Sequence, residues 1–156
     1  MKITTVSANN RRKAFEITTR SRTYLFPYAV AEPSPGESER VDSAWVDGDL
    51  GNEGFSYRLS SGREGTIHID HVLEYNRDPA YMAEMLLYRL TLEAGKRVEE
   101  SPLSTREIIR RLGTSATQFY RLLDQTNHRK SLNQLVSLLA ILGCDVELIV
   151  KDRRSA

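Results

Sequence analysis

The side chains best placed for chemistry in this sequence are cationic and hydrogen-bonding. Between residues 101 and 131 stand Arg106, Arg110, Arg111, Arg121, Arg129 and Lys130, against only Glu107 and Asp124. That gives a local charge of +4 inside a chain whose formal net charge is +1. Within this segment runs Ser115-Ala116-Thr117-Gln118-Phe119-Tyr120-Arg121. A glutamine amide can bond adenine bidentately, an arginine fork can bond guanine, and Ala or Thr methyls can meet the thymine methyl. Those groups act together only if a rigid element presents them on one face.

Other candidate constellations are weaker. His68-Ile69-Asp70-His71 suggests metal, but on a strand His68 and Asp70 face one way and His71 the other. At most two ligands converge, too few for zinc. Asp47-Gly48-Asp49 with Glu53 lacks the repeated spacing of a calcium loop and reads as a turn. The single cysteine, Cys144, excludes an internal disulfide and a cysteine-based zinc site, and reads as a buried structural thiol. Neither a phosphate-cradling glycine loop nor a supported Ser-His-Asp or Cys-His set is present. The expectation is a non-enzyme, with no catalytic residue, metal or cofactor.

The positioning elements divide the chain. Residues 1–79 hold 10 Lys/Arg and 12 Asp/Glu (−2), and residues 80–156 hold 12 and 9 (+3). The first half reads as strands: Ala14–Thr18, Thr23–Phe26, Ser43–Asp47, Gly54–Leu59 and Gly65–Asp70, the last two joined by the turn Ser60-Ser61-Gly62-Arg63. The stretch from Glu32 to Glu39 reads as a surface loop. Tyr24, Phe26 and Tyr28 read as core. A small antiparallel sheet with one wet face is expected.

The second half reads as helices. Asp78 is a good N-cap and Pro79 suits the first turn of a helix reaching Val98. Its first half is apolar nearly all round, so it should be covered on several faces. Ser104-Thr105-Arg106-Glu107 matches a capping box, opening a helix to Leu112 that Gly113 ends. Ser115 or Thr114 caps a second short helix with Phe119, Leu122 and Leu123 inward. After a polar loop, Ser131-Leu132-Asn133-Gln134 is another capping box. The last helix should bury Leu132, Leu135, Val136, Leu139 and Leu142, and a final strand should follow at 146–150.

Two short helices joined by a glycine-containing turn form a helix-turn-helix pattern. The run Ser104-Thr105-Arg106-Glu107-Ile108-Ile109-Arg110-Arg111-Leu112-Gly113-Thr114-Ser115-Ala116-Thr117-Gln118-Phe119-Tyr120-Arg121-Leu122-Leu123 resembles the Cro/repressor-like (XRE-type) family. Ser131–Leu135 and Leu138–Gly143 are similar to that family's last helices, so the resemblance spans about 80–150. It implies a recognition helix over Ser115–Leu123 with Ala116, Thr117, Gln118, Tyr120 and Arg121 contacting bases. Phosphates would be met by Arg106, Arg110, Ser115, His128, Arg129, Lys130 and Ser131. Ile109 stands where family members often carry alanine beside the second helix, which implies a wider crossing.

The sequence thus predicts an α+β protein. A β-rich N-terminal domain covers 1–77, a helical bundle with the helix-turn-helix covers 78–151, and a tail covers 152–156. The expected function is sequence-specific double-stranded DNA binding by a transcriptional regulator. The alternative is an antitoxin-type or other interaction module whose β-rich half binds a partner protein. A homodimer is expected, because helix 81–98, Leu138, Ile141 and the strand at 146–150 carry surplus apolar surface. The N-terminus MKITTVSANN lacks the apolar core of a signal peptide. The run 135–150 is broken by Ser137, Gly143, Asp145 and Glu147, so a soluble cytoplasmic protein without membrane contact is expected.

Overall fold

The computed structural model describes residues 1–153. The expected tail at 152–156 therefore lies mostly outside the described residues. The chain is α+β and divides into two compact units, Met1–Met82 and Ala83–Ala156.

The first unit holds two antiparallel three-stranded sheets where a single sheet is expected. One contains β1 (Ile3–Asn9), β2 (Ala14–Thr19) and β3 (Thr23–Pro27), and the other β4 (Val41–Val46), β5 (Gly54–Leu59) and β6 (Glu64–His68). The break falls after β3, where a 3-10 turn at Tyr28–Val30 and the loop at 31–40 carry the chain away before β4 begins. β1 lies beside β4. The inward residues of both sheets, including Phe15, Ile17, Tyr24, Phe26, Phe55, Tyr57, Leu59 and Ile67, share one core. Tyr24, Phe26 and Tyr28 are buried in it, as their spacing predicts.

Local chemistry fixes the turns. Gly62 takes φ +88° between β5 and β6, a left-handed conformation that favours glycine. Between β4 and β5, Asp47 accepts from the Asp49 amide (2.9 Å) and the Ser56 hydroxyl (2.7 Å). This segment is a turn, as read from the sequence, and its lead carboxylate is already occupied. Gly65 lies over the Tyr57 ring, and a Cβ there would sit 2.4 Å from it, so glycine alone fits. The buried Tyr57 hydroxyl donates to the Pro33 carbonyl (2.6 Å). Pro33 is itself buried, so the Glu32–Glu39 loop is anchored in the core rather than lying wholly on the surface.

The strand expected at Gly65–Asp70 stops at His68, where α1 (Ile69–Asn76) begins. Ile69, Val72 and Leu73 are buried at helical spacing, which outweighs the alternation that Ile67 and Ile69 continue. His68 Nδ1 accepts from the Asp70 amide (3.3 Å) as N-cap. Among the described residues no group of three or more His, Cys, Asp or Glu side chains could hold a metal ion.

α2 (Pro79–Glu100) starts where Asp78 and Pro79 place it. The buried Asp78 carboxylate accepts from the Tyr81 amide (3.2 Å) and the Tyr24 hydroxyl (2.9 Å). These bonds and nearby Arg22 hold its carboxyl below its ordinary range. Asp78 bonds the Tyr24 hydroxyl and Tyr81 packs against the first core, and the first compact unit runs to Met82. α2 buries only Thr91 and Ala94 and leaves Met82, Leu86, Tyr88 and Leu92 exposed. Among the described residues no helix is long and apolar enough to cross a membrane.

The second unit continues with α3 (Thr105–Leu112), α4 (Ala116–Leu123) and α5 (Leu132–Ile141). Its core contains Ala94, Ile108, Phe119, Leu122, Leu135, Leu138 and Leu139. Leu138, expected as surplus surface, is fully buried, whereas Leu132, expected inside, is 48% exposed at the first turn of α5. No strand forms at 146–150, because this segment has no ladder partner among the described residues.

Candidate nucleic-acid interface

Three serines set the starts of the three short helices. Ser104 accepts from the Glu107 amide (3.2 Å), Ser115 from the Gln118 amide (3.2 Å) and Ser131 from the Gln134 amide (3.4 Å). Each satisfies an amide that the helix leaves without an internal partner. The reciprocal half of the first capping box does not form. Glu107 turns to Arg110 (2.6 Å) and Arg111 (2.9 Å) instead, because two guanidinium groups outcompete one backbone amide. Gly113 closes α3 at φ +69°, with its amide bonded to the Ile109 carbonyl (3.1 Å).

This arrangement has a pH signature. Hydrogen bonds from Arg110 and Arg111 bring the Glu107 carboxyl from 4.5 down to about 2. A carboxyl lowered on folding adds stability above its unfolded value and loses it as pH falls through the folded one. The contribution is therefore whole above about pH 4.5 and gone near pH 2. Glu107→Gln removes this part of the acid dependence, read as a flatter unfolding midpoint between pH 5 and about 2 than wild type shows.

α4 is oriented by its buried side. Phe119 and Leu122 are 1% and 3% exposed, while Ala116, Thr117, Gln118, Tyr120 and Arg121 all face solvent. The five expected base-contacting residues thus share the outer surface of one helix. Ile109 packs against the core that holds Phe119.

The expected phosphate set divides. Arg106, Arg110, Ser115, His128, Arg129 and Ser131 are all exposed. The Ser115 and Ser131 oxygens accept the cap bonds, and Arg110 is paired with Glu107. Lys130 departs from its expected role. Its ammonium turns inward and donates to Thr91 Oγ1 (3.0 Å), the Leu122 carbonyl (3.0 Å) and the Asp124 carbonyl. All three ammonium donors are used inside the protein, leaving none for a phosphate. Burial lowers its pKa despite nearby Asp124.

Lys130 is the feature that sequence reasoning missed: it caps the C-terminal end of α4 and ties that end to Thr91 of α2. Asn127 assists by donating to the Arg121 carbonyl (3.2 Å). The only sequence signal was a lysine just beyond a helix C-terminus, a position suited to capping carbonyls. The loop folds so that Gln118 and Arg121 of α4, Thr126 and Arg129, and Ser131 and Asn133 line one polar groove. Arg121 and Arg129 bring guanidinium donors to it, against one carboxylate, Asp124, which accepts from the Thr126 amide and hydroxyl.

No protein-family model matches the chain, and no curated protein or solved structure shows significant similarity to it.

Proposed function

We propose that this protein binds double-stranded DNA in a sequence-specific manner through α4 and acts as a transcriptional regulator. The reading rests chiefly on one observation. α4 is capped at both ends, buries Phe119 and Leu122, and exposes Ala116, Thr117, Gln118, Tyr120 and Arg121 together. A helix fixed this way can enter a major groove as a rigid element and present donors and methyl groups to base edges. The polar groove between α4 and the start of α5 would take backbone phosphate through Arg129 and Ser131. Because one short helix reads few base pairs, the functional unit is a homodimer on two half-sites.

Selection of duplexes from a random pool by the full chain tests the reading. A repeated sequence should be enriched within a few rounds. A pool that stays random would reject it.

Arg129 has a separate expected effect. Its guanidinium is exposed beside the groove, so Arg129→Ala should weaken binding to all duplexes alike. The slope of log affinity against log salt should fall by about 0.9, the value for one phosphate contact. Titrations at several salt concentrations check this, and a loss confined to one sequence would contradict the phosphate role.

A further inference from the structure

We infer that residues 145–151 form an antiparallel two-stranded ribbon with the same segment of a second copy of this chain. This inference rests on the homodimer proposed above, but not on DNA binding. Among the described residues, 145–153 lie in no helix or strand. Yet in Val146-Glu147-Leu148-Ile149-Val150 every residue but Glu147 is apolar and three are β-branched, with Val146 43%, Leu148 80%, Ile149 72% and Val150 86% exposed. Side chains this apolar and this open lack a partner among the described residues, and an unpaired extended segment leaves its amides and carbonyls without a ladder as well.

The segment is complementary to itself. In an antiparallel pair centred on Leu148, that residue faces Leu148 of the partner subunit, and Val146 faces Val150 of the partner subunit. Strand residues alternate between faces, so Val146, Leu148 and Val150 of both chains make one wholly apolar face. On the opposite face Asp145 stands across from Lys151 of the partner subunit, and the two-fold axis makes that opposite-charge pair twice. A slip of one residue would set Asp145 and Glu147 among the apolar side chains, which disfavours that register. The second copy is the occupant that supplies both the matching apolar row and the matching charges.

The test uses the full chain without DNA, so failure of DNA binding leaves it unaffected. Sedimentation at micromolar concentration should show a species of twice the 17.8 kDa of one chain. Leu148→Lys sets two ammonium groups opposite each other and should run as a single chain with unchanged helical circular dichroism. In a Cys144→Ser background, Leu148→Cys should cross-link two chains under a mild oxidant, and Val146→Cys should not. A wild-type single chain, a Leu148→Lys dimer, or equal cross-linking at 146 and 148 would each overturn the inference. Loss of DNA selectivity with the dimer intact would reject only the functional proposal.

Discussion

Lys130→Met should lower the stability of the C-terminal unit by about 1–3 kcal/mol, the cost of leaving buried hydrogen-bonding groups unpaired. The side chain keeps its length but loses the ammonium that bonds Thr91, Leu122 and Asp124. The Leu122 carbonyl then has no cap, and α4 loses its tie to α2. Burial already lowers the pKa of Lys130, so part of the gain from its bonds is spent on desolvation, which keeps the effect within that range. Denaturant melts followed by helical circular dichroism measure the change. A midpoint equal to wild type would show that the ammonium contributes nothing. Affinity for random duplex should stay near wild type per folded molecule. In this respect Lys130 differs from Arg129, whose replacement should leave the fold intact and alter the salt slope.

The larger functional effect is expected at Gln118 and Arg121. Both are exposed on the outer face of α4, and the buried positions Phe119 and Leu122 lie between and beside them. Truncation at either site leaves the core untouched, so folding survives. Each lost bidentate base contact should reduce discrimination by about 1–3 kcal/mol, roughly one to two powers of ten in the specific-to-random ratio. Gln118→Ala should relax the preference at one base position and Arg121→Ala at another. An unchanged ratio in both variants would remove α4 from its assigned role.

Much of the helical half is legible in the sequence because its signals are local. Asp78-Pro79, the serines at 104, 115 and 131, and Gly113 each act through bonds within a few residues of themselves. The buried stripe of α4 also follows from spacing alone. Elements defined by distant partners were not legible. β1 buries only Ile3 fully, and its inward Val6 and Ala8 are small and half-buried, so its apolar signal is weak. The division into two sheets depends on which strands pair, and alternation carries no such information. α1 was hidden because Ile69 serves both a strand pattern and a helix pattern.

Lys130 and residues 146–150 show the same limit from opposite sides. A lysine in a basic run reads as a phosphate ligand, and only the folded loop shows the carbonyls that claim it. The alternation at 146–150 reads as a strand, but a strand exists only with a ladder partner, and the described residues supply none. Composition and spacing report what a segment is able to do, whereas the available partners decide what it does.

The central claim is that α4 reads base sequence. Its most direct measurement is competition between the duplex enriched by selection and random duplex, for the full chain at fixed salt. The account predicts at least about a thousandfold preference for the selected duplex, as specific DNA-binding proteins show. It also predicts that Gln118→Ala with Arg121→Ala takes most of that preference away while affinity for random duplex changes little. Equal affinity of the wild-type chain for both duplexes would contradict the account.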